Sequence, residues 1–561
     1  MNLFHPNKAK FLTSGFLWCD NALLIYLAFA KLIIHLSTSA GYGYFGDELY
    51  WLAMAKHLDF GYVDVPPVAA YLAALFRPLI GASLFALRLL PAVAGAVTVY
   101  YAGLIARALG GGRFSQWFSA LAALAAPWLL TINSTFTYDS FDQLCSIILF
   151  YLAVRIINLE TPTRTSARHW LPLGLIAGLG VMTKLSMVYT VGALVIAMLF
   201  TARRKSFLTV WPWLAAFLAA AICAPYLVWQ SVHGWPSLHY FHHYAQNLYR
   251  PHPQPGQFLI GLSFFVLNPF LLPVWLLGLI FTLFHGEGRK YRILGFTFLI
   301  LAVFYAGLMK LEPREILSAC FPLLAAGAVW LERMISGAHG GAVWLERMIS
   351  GVNASPAAVN PGTRAKSISR LKRVYIGVFL ISAAWMAPIS LPILPIPVLE
   401  EYWSATPAFV RESDFQLGII PQHYRFSVGW PEIVKEVATV YHGLPAADRK
   451  KCAIWTGFYW EAGAIDLLGK EYGLPDALSN CQSYQIWGSE QLRSGKAPEV
   501  AIMLRSAPDF PAFVYFKEVT PVRSFNANKY SVYTYGALQI YICRKPKADF
   551  QAAWKEKASY F

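Results

Sequence analysis

Long apolar runs bounded by arginine and lysine recur from near residue 22 to near residue 394, and this alternation limits the fold more than any other feature of the chain. A run of about 20 apolar residues spans the hydrocarbon of a bilayer, where a helix satisfies its own backbone. Such runs lie at about residues 22–36, 85–108, 117–132, 141–157, 208–229, 258–284, 293–309, 316–331 and 375–394, with a broken pair over 170–201 around Lys184. The reading is a polytopic α-helical membrane protein of about 11 transmembrane helices.

Basic residues occupy alternate loops. Lys8 and Lys10 precede the first run, Arg107 and Arg113 end the second, and Arg164 and Arg168 follow the fourth. Arg203, Arg204 and Lys205 come next, then Arg289, Lys290 and Arg292, then the basic connector over 332–373. Loops rich in Lys and Arg stay in the cytoplasm. The N-terminus is therefore expected inside, at a plasma (inner) membrane, and an odd number of spans leaves everything after the last one outside. The 561 residues carry a net charge of +16 and are 57% hydrophobic. In such a chain the charge answers to cytoplasmic loops and lipid phosphates, and no nucleic-acid motif accompanies it.

Two domains are expected: 1–397 in the membrane, with a first outer loop over 39–84, and a polar α/β domain over 398–561. In the latter AIWTGFY, VAIML, FVYF and LQIYIC have the composition of strands. EAGAIDLLGKEYG reads as a helix closed by a C-cap glycine. Cys452, Cys481 and Cys543 lie there, and outside the cytoplasm two of them could be bridged. The segment GAVWLERMISG occurs at 327–337 and again at 341–351. One tandem copy is not a repeat architecture, and it reads as a local lengthening of a helix.

The first outer loop holds GYGYFGDELYWLAMAKHLDFGYVDVPP, residues 41–67. Apolar positions 51, 52, 54, 55 and 58 have helical spacing, so a short amphipathic helix at the membrane surface is expected. Asp47 stands at its start, where a carboxylate is either an N-cap or, kept ionised by the helix dipole, a reactive group. The topology puts further polar residues on the same outer face: Glu48, Asp64, Asp139, Asp142, Lys184, the histidines 233, 239, 242 and 243, Lys310 and Arg314. Outer loops are ordinarily poor in Lys and Arg, so these cations are informative. Carboxylates beside cations at the outer leaflet suit a phosphate-linked lipid: the cations grip phosphate, and a carboxylate takes a proton from an incoming hydroxyl. Plainer roles compete at each position. Asp139 could cap its helix, Lys184 could snorkel, Lys310 and Arg314 could pair with Glu312 and Glu315, and the histidines could be ordinary residues of a wet loop.

The Asp-Glu pair after the first span, the YVDVPP segment, the TYDS carboxylate and the GLGVMTK stretch together resemble the GT-C class of membrane glycosyltransferases. More narrowly, residues 20–330 are similar to glycosyltransferase family 39, which includes protein O-mannosyltransferases and lipid A aminoarabinose transferases. The stretch GWPEIVKEV…TGFYWEAGAIDLLGKEYGLP resembles the C-terminal domain of uncharacterised bacterial members. The resemblance implies a GT-C fold, a polyprenyl-phosphate sugar donor and inverting transfer outside the cytoplasm to a glycolipid, polysaccharide or protein acceptor. It implies Asp47 as the catalytic carboxylate and Asp139 as the second acidic position; with Glu48 beside Asp47 these are the catalytic candidates, and the outer-face cations Lys184, Lys310 and Arg314 are the candidate donor-phosphate contacts. In the aminoarabinose branch an acidic residue before the Pro-Pro pair and a loop histidine hold a metal. Asp64 matches the first, and His239 and His243, one helical turn apart, are the candidates for the second, so a divalent metal ion enters as a cofactor expectation. That branch has Lys directly before Pro-Pro, and this chain has Val65. A polyprenyl-lipid flippase or a non-enzymatic envelope scaffold are the alternatives. A flippase would place charges along a path through the bilayer, whereas here the charges gather in loops.

Overall fold

The computed structural model describes residues 20–81, 83–159, 167–247, 258, 261–309, 313–336, 361–411, 418–493, 497–505, 512–533, 537–548, 550 and 554. Lys8, Lys10, Arg164, Lys310, Glu312 and the second copy of the duplicated segment lie outside the described residues.

The apolar runs are helices. They begin with α1 (Asp20–Thr38), α2 (Gly46–Met54), α3 (Val68–Ile80), α4 (Leu84–Ala108), α5 (Arg113–Ala125), α6 (Pro127–Ile132) and α7 (Tyr138–Ile157). The series continues with α8 (Ala167–Val181), α9 (Met187–Leu199), α10 (Val210–Val232) and α11 (Pro236–Asn247), followed by the helices Leu272–Phe284, Arg292–Ala302, Leu317–Ile335 and Pro361–Ser390. Among the described residues six helices are long and apolar enough to cross a bilayer, and the number rises to 8 when each sharply bent pair is taken as one span. The chain is thus a multi-pass membrane protein. The expected broken pair is α8 and α9. The third expected span is broken too, because Pro127 cannot donate to the helical ladder. Lys31, buried in α1, donates to the carbonyls of Leu124 and Leu129 beside that break, at 3.4 and 3.1 Å.

Helix α4 packs on α1, α5 and α7, α7 on α8, and α8 on α10, while Leu272–Phe284 crosses Leu317–Ile335. The core between them is largely Ala, Leu, Ile and Phe. The basic loop ends meet at one end of this bundle. Arg333 pairs with Glu287 at 2.6 Å and reaches the Gly110 carbonyl, Tyr291 donates to Asn158 at 3.0 Å, and Arg203 donates to Leu159 at 2.9 Å. The first copy of the duplicated segment has structural work here. Its Glu332 accepts from the backbone N–H groups of Gly112 and Phe114 at 2.7 and 3.0 Å, satisfying the start of α5.

The first outer loop departs from expectation. Helix α2 does not lie on the membrane surface: every residue from Glu48 to Met54 is buried. Its second face is covered by the C-terminal part of the chain, so Leu49–Met54, Tyr62 and Ala69 share one core with Trp430, Ile433, Ile454, Ala464 and Ile502. Helix α3, also in this loop, was not foreseen.

After residue 398 the chain forms a five-stranded sheet of order β2-β1-β3-β5-β4. The strands are β1 (Cys452–Thr456), β2 (Ala477–Leu478), β3 (Val500–Arg505), β4 (Phe516–Phe525) and β5 (Leu538–Pro546). β1 runs parallel to β2 and β3, while β5 is antiparallel to β3 and β4. The apolar β1 and β3 are central. β4 is a solvated edge, broken in register between Pro521 and Arg523, and both proline and irregularity discourage pairing with another chain. The expected helix over 461–473 is Tyr459–Leu468, followed by one tight turn, and it ends on Gly473 at φ +64°, the left-handed cap anticipated. FVYF is not a strand. Ala512–Tyr515 is a helical turn, and the strand begins at Phe516. Cys452, Cys481 and Cys543 are all buried free thiols. Cys452 and Cys543 sit on β1 and β5, separated by β3, so no bridge joins them.

Candidate active site

The neighbours Asp47 and Glu48 do different things. Phe45 is the N-cap of α2, and Glu48 reaches back to accept its backbone N–H at 2.8 Å. Asp47, one residue inside the helix, makes no capping bond, so the capping alternative is removed. Glu48 also accepts from Arg88 Nε and Nη2, both at 2.8 Å, and from the Phe136 backbone N–H at 2.8 Å. Arg88 spends its other donors on the carbonyls of Ser39, Gly41 and Gly43. Glu48 is 0% and Arg88 2% exposed. The catalytic expectation for Glu48 is therefore corrected: it is a sealed ion pair that ties the first loop to α4 and to the turn before α7. Arg88 itself was overlooked, although an arginine inside an apolar run is a signal in its own right.

Asp47 lines a cavity of about 340 Å³ together with Trp128, Thr137, Tyr138, Asp139 and Arg314. The Tyr459 hydroxyl donates to Asp47 Oδ1 at 2.9 Å. Burial raises the Asp47 carboxyl from its ordinary value to about 6, and the charge of Asp139 adds to this, while the Tyr459 hydrogen bond and the Arg314 charge work the other way. The group is poised to hold or release a proton near neutrality.

Asp139, in the first turn of α7, does not cap it, since no side-chain cap bond is made there. It pairs with Lys184 at 3.0 Å, and Lys184 also donates to both oxygens of Glu315 at 3.1 and 3.0 Å. The three protons of an ammonium are thereby matched by three carboxylate oxygens. In this arrangement Lys184 bridges the two acids, and it is not among the residues lining the cavity beside Asp47. Arg314 stacks 5.0 Å from the Trp128 ring, with Nε 3.8 Å from Glu315, and lies on the cavity wall. Lys310 is outside the described residues.

The three residues expected to hold a metal do not form a common three-ligand group among the described residues. Asp64 accepts from the Tyr50 hydroxyl at 2.9 Å, and burial raises its carboxyl to about 7. His239, on α11, is exposed and His243 half-buried. Among the described residues no group of three His, Cys, Asp or Glu side chains is placed to hold a metal ion.

Two polar atoms on the cavity are buried without a hydrogen-bond partner among the described residues: Thr137 Oγ1 and His423 Nε2. Burial lowers the His423 imidazole to about 3, so it is neutral. The sequence reading brought Asp47, Asp139, Lys184 and Arg314 to one place and missed Tyr459, Glu315, Trp128 and His423. Of these only Glu315 had a signal, as an acid beside Arg314 at an outer loop.

Residues 64–229 match the family model for dolichyl-phosphate-mannose-protein mannosyltransferase. No curated protein matches the chain. Among solved structures, ArnT from Cupriavidus metallidurans in the apo state aligns at 13% identity and TM-score 0.55, over 93% of this chain and 97% of its own. The same protein bound to undecaprenyl phosphate aligns at 14% identity and TM-score 0.54, over 92% and 97%. The oligosaccharyltransferase of Archaeoglobus fulgidus in its apo form aligns at 12% identity and TM-score 0.50, over 87% of this chain and 69% of its own. With this likeness over nearly the whole chain, and a family match on the segment 64–229, the chain has the GT-C fold seen in these membrane glycosyltransferases.

Proposed function

We propose that this protein moves a sugar from a polyprenyl-phosphate donor to an acceptor on the extracytoplasmic side of the membrane, by an inverting displacement with Asp47 as base. The observation that carries this reading is the Asp47 carboxylate on a cavity whose walls also hold Arg314 and Asp139. The acceptor hydroxyl gives its proton to Asp47 as its oxygen bonds to the anomeric carbon, and the bond from that carbon to the lipid phosphate breaks. The phosphate departs with the electron pair, and Arg314 offsets its charge. A phosphate is already a good leaving group, so one base suffices. Asp139, Lys184 and Glu315 keep the carboxylates near the base fixed. Thr137 and His423 also line this cavity. The undecaprenyl phosphate bound by the ArnT relative supports a donor of this class.

The orientation follows the charges. The basic ends gathered at one end of the bundle face the cytoplasm of a plasma (inner) membrane, and the opposite end, with Asp47 and the α/β domain 398–561, faces outward. Cysteines placed at exposed Leu58 and Lys290 test this: a membrane-impermeant thiol reagent should label the first in intact cells and the second only after lysis. The activity test is incubation of the purified protein with polyprenyl-phosphate sugars and candidate glycolipid, polysaccharide or peptide acceptors. Product with an inverted anomeric centre is expected. Movement of the intact lipid across vesicles, without transfer, would overturn the reading in favour of a flippase.

A further inference from the structure

The base of this site belongs to the membrane part of the chain, but the hydrogen bond its carboxylate accepts among the described residues comes from the other part. Tyr459 opens the helix that follows β1, and its hydroxyl reaches Asp47 Oδ1 at 2.9 Å. The tyrosine is itself seated. Its ring lies 4.6 Å from that of Tyr50, whose hydroxyl donates to Asp64 and accepts the Ser483 backbone N–H at 3.1 Å. Ser483 Oγ in turn accepts the Val63 backbone N–H at 3.1 Å. The approach is close because Gly463 faces the α2 backbone: a Cβ there would stand 2.8 Å from the Leu49 carbonyl carbon. Gly46 closes the seam on its other side by donating to the Phe426 carbonyl at 3.0 Å.

We propose that Tyr459 is a positioning residue for Asp47, so that docking of the C-terminal α/β part onto the first outer loop completes the active site. The hydroxyl fixes Oδ1 and leaves Oδ2 for the incoming hydroxyl. A donor to a carboxylate favours its ionised form, so Tyr459 also keeps Asp47 able to accept a proton. The other charged and titratable groups facing Asp47 are Asp139, Glu48 and Asp64, which oppose ionisation, Arg314, which favours it, and the hydroxyls of Tyr138 and Tyr240. Each comes from the membrane part, so Tyr459 alone carries information about docking.

The inference rests on Asp47 being the base, and the test separates the two. The pH dependence of kcat/KM is measured for the full-length wild type, Asp47→Asn and Tyr459→Phe, with polyprenyl-phosphate sugar as donor. Tyr459→Phe keeps the ring against Tyr50 and removes only the hydroxyl. Its acid limb should move up by about one pH unit, the scale of one hydrogen bond to a charged group. Activity should fall roughly fivefold at pH 6 and recover at pH 8, with donor KM unchanged. Gly463→Ala, which keeps the hydroxyl but loosens the seat, should move the limb the same way, and it decides the matter should Tyr459→Phe not fold. An unmoved limb in a folded variant, with Asp47→Asn inactive, overturns the role of Tyr459 alone. A fully active Asp47→Asn overturns the reading beneath it.

Discussion

Two carboxylate clusters stand within a few residues of each other, and they are built on opposite principles. In one, Glu48 and Arg88 are sealed from solvent, and every donor and acceptor is matched by a short contact. In the other, Asp47, Asp139 and Arg314 line an open cavity, and among the described residues a single hydroxyl holds Asp47. A fully satisfied charge has nothing left to give a substrate, and an underused one raised toward neutrality can exchange a proton. Successive helical residues point about 100° apart. That rotation alone sends Glu48 into the protein and Asp47 to the cavity.

The comparison breaks most sharply on the sealed side. Glu48→Ala or Arg88→Ala leaves one buried charge without its partner, which costs about 3–5 kcal/mol. Either variant should lose most of its folded yield in detergent, or show a large drop in thermal midpoint. Replacing both by leucine should recover only part of this, because the Ser39, Gly41 and Gly43 carbonyls would remain unserved. Wild-type stability in either single variant would show the sealed cluster to be dispensable.

On the open side the expected loss is of rate and not of fold. Asp47→Asn preserves shape and removes the proton acceptor. Turnover should drop by roughly a hundredfold or more, the scale of losing a positioned base. Stability should hold or rise slightly, since burial already disfavours this charge. Donor affinity should be unchanged. A folded Asn variant with near-normal turnover would falsify the assignment and turn attention to Asp139.

Arg314→Ala sharpens the comparison within the open cluster. The guanidinium, stacked on Trp128, lines the cavity, where the proposed donor phosphate would meet it. Loss of one charge-assisted contact, about 1.5–3 kcal/mol, should raise the donor KM by roughly tenfold or more. Arg314→Lys should recover only part of it, because an ammonium neither stacks nor grips bidentately. Equal donor KM in all three proteins removes Arg314 from the donor site.

The division between these clusters was only half legible in the chain. Apolar runs and basic loops are long, redundant signals, so most helices of the expected spans were readable to within a few residues, whereas α3 and α11, outside those runs, were not. The α/β composition after residue 398 was readable for the same reason. The roles of Glu48 and Lys184 were not. Each depends on partners 40 or more residues away, Arg88, Asp139 and Glu315, whose proximity no local pattern encodes. Tyr459 was still less accessible, 412 positions from the carboxylate it holds. The surface-helix reading of α2 failed because amphipathic spacing says that one face is buried and is silent on whether a second body covers the other.

The smallest effect needs no mutation. With Asp47 raised to about 6, the base is mostly protonated at pH 5 and mostly ionised at pH 7. Only the ionised form accepts a proton, so kcat/KM should climb about tenfold between these values and level off above. Stability moves in the opposite sense. The folded state binds this proton more tightly than the unfolded chain, so the group's stabilising contribution is fully present below about pH 4 and is lost as pH rises through about 6. An active wild type should therefore gain rate while giving up a little thermal stability over the same interval. Asp47→Asn should show neither trend from this group, and Glu48, bound to Arg88 throughout, should add nothing to the rate profile. A rate that is flat from pH 5 to 7 in an otherwise active enzyme would mean that the raised carboxyl of Asp47 is not the proton acceptor.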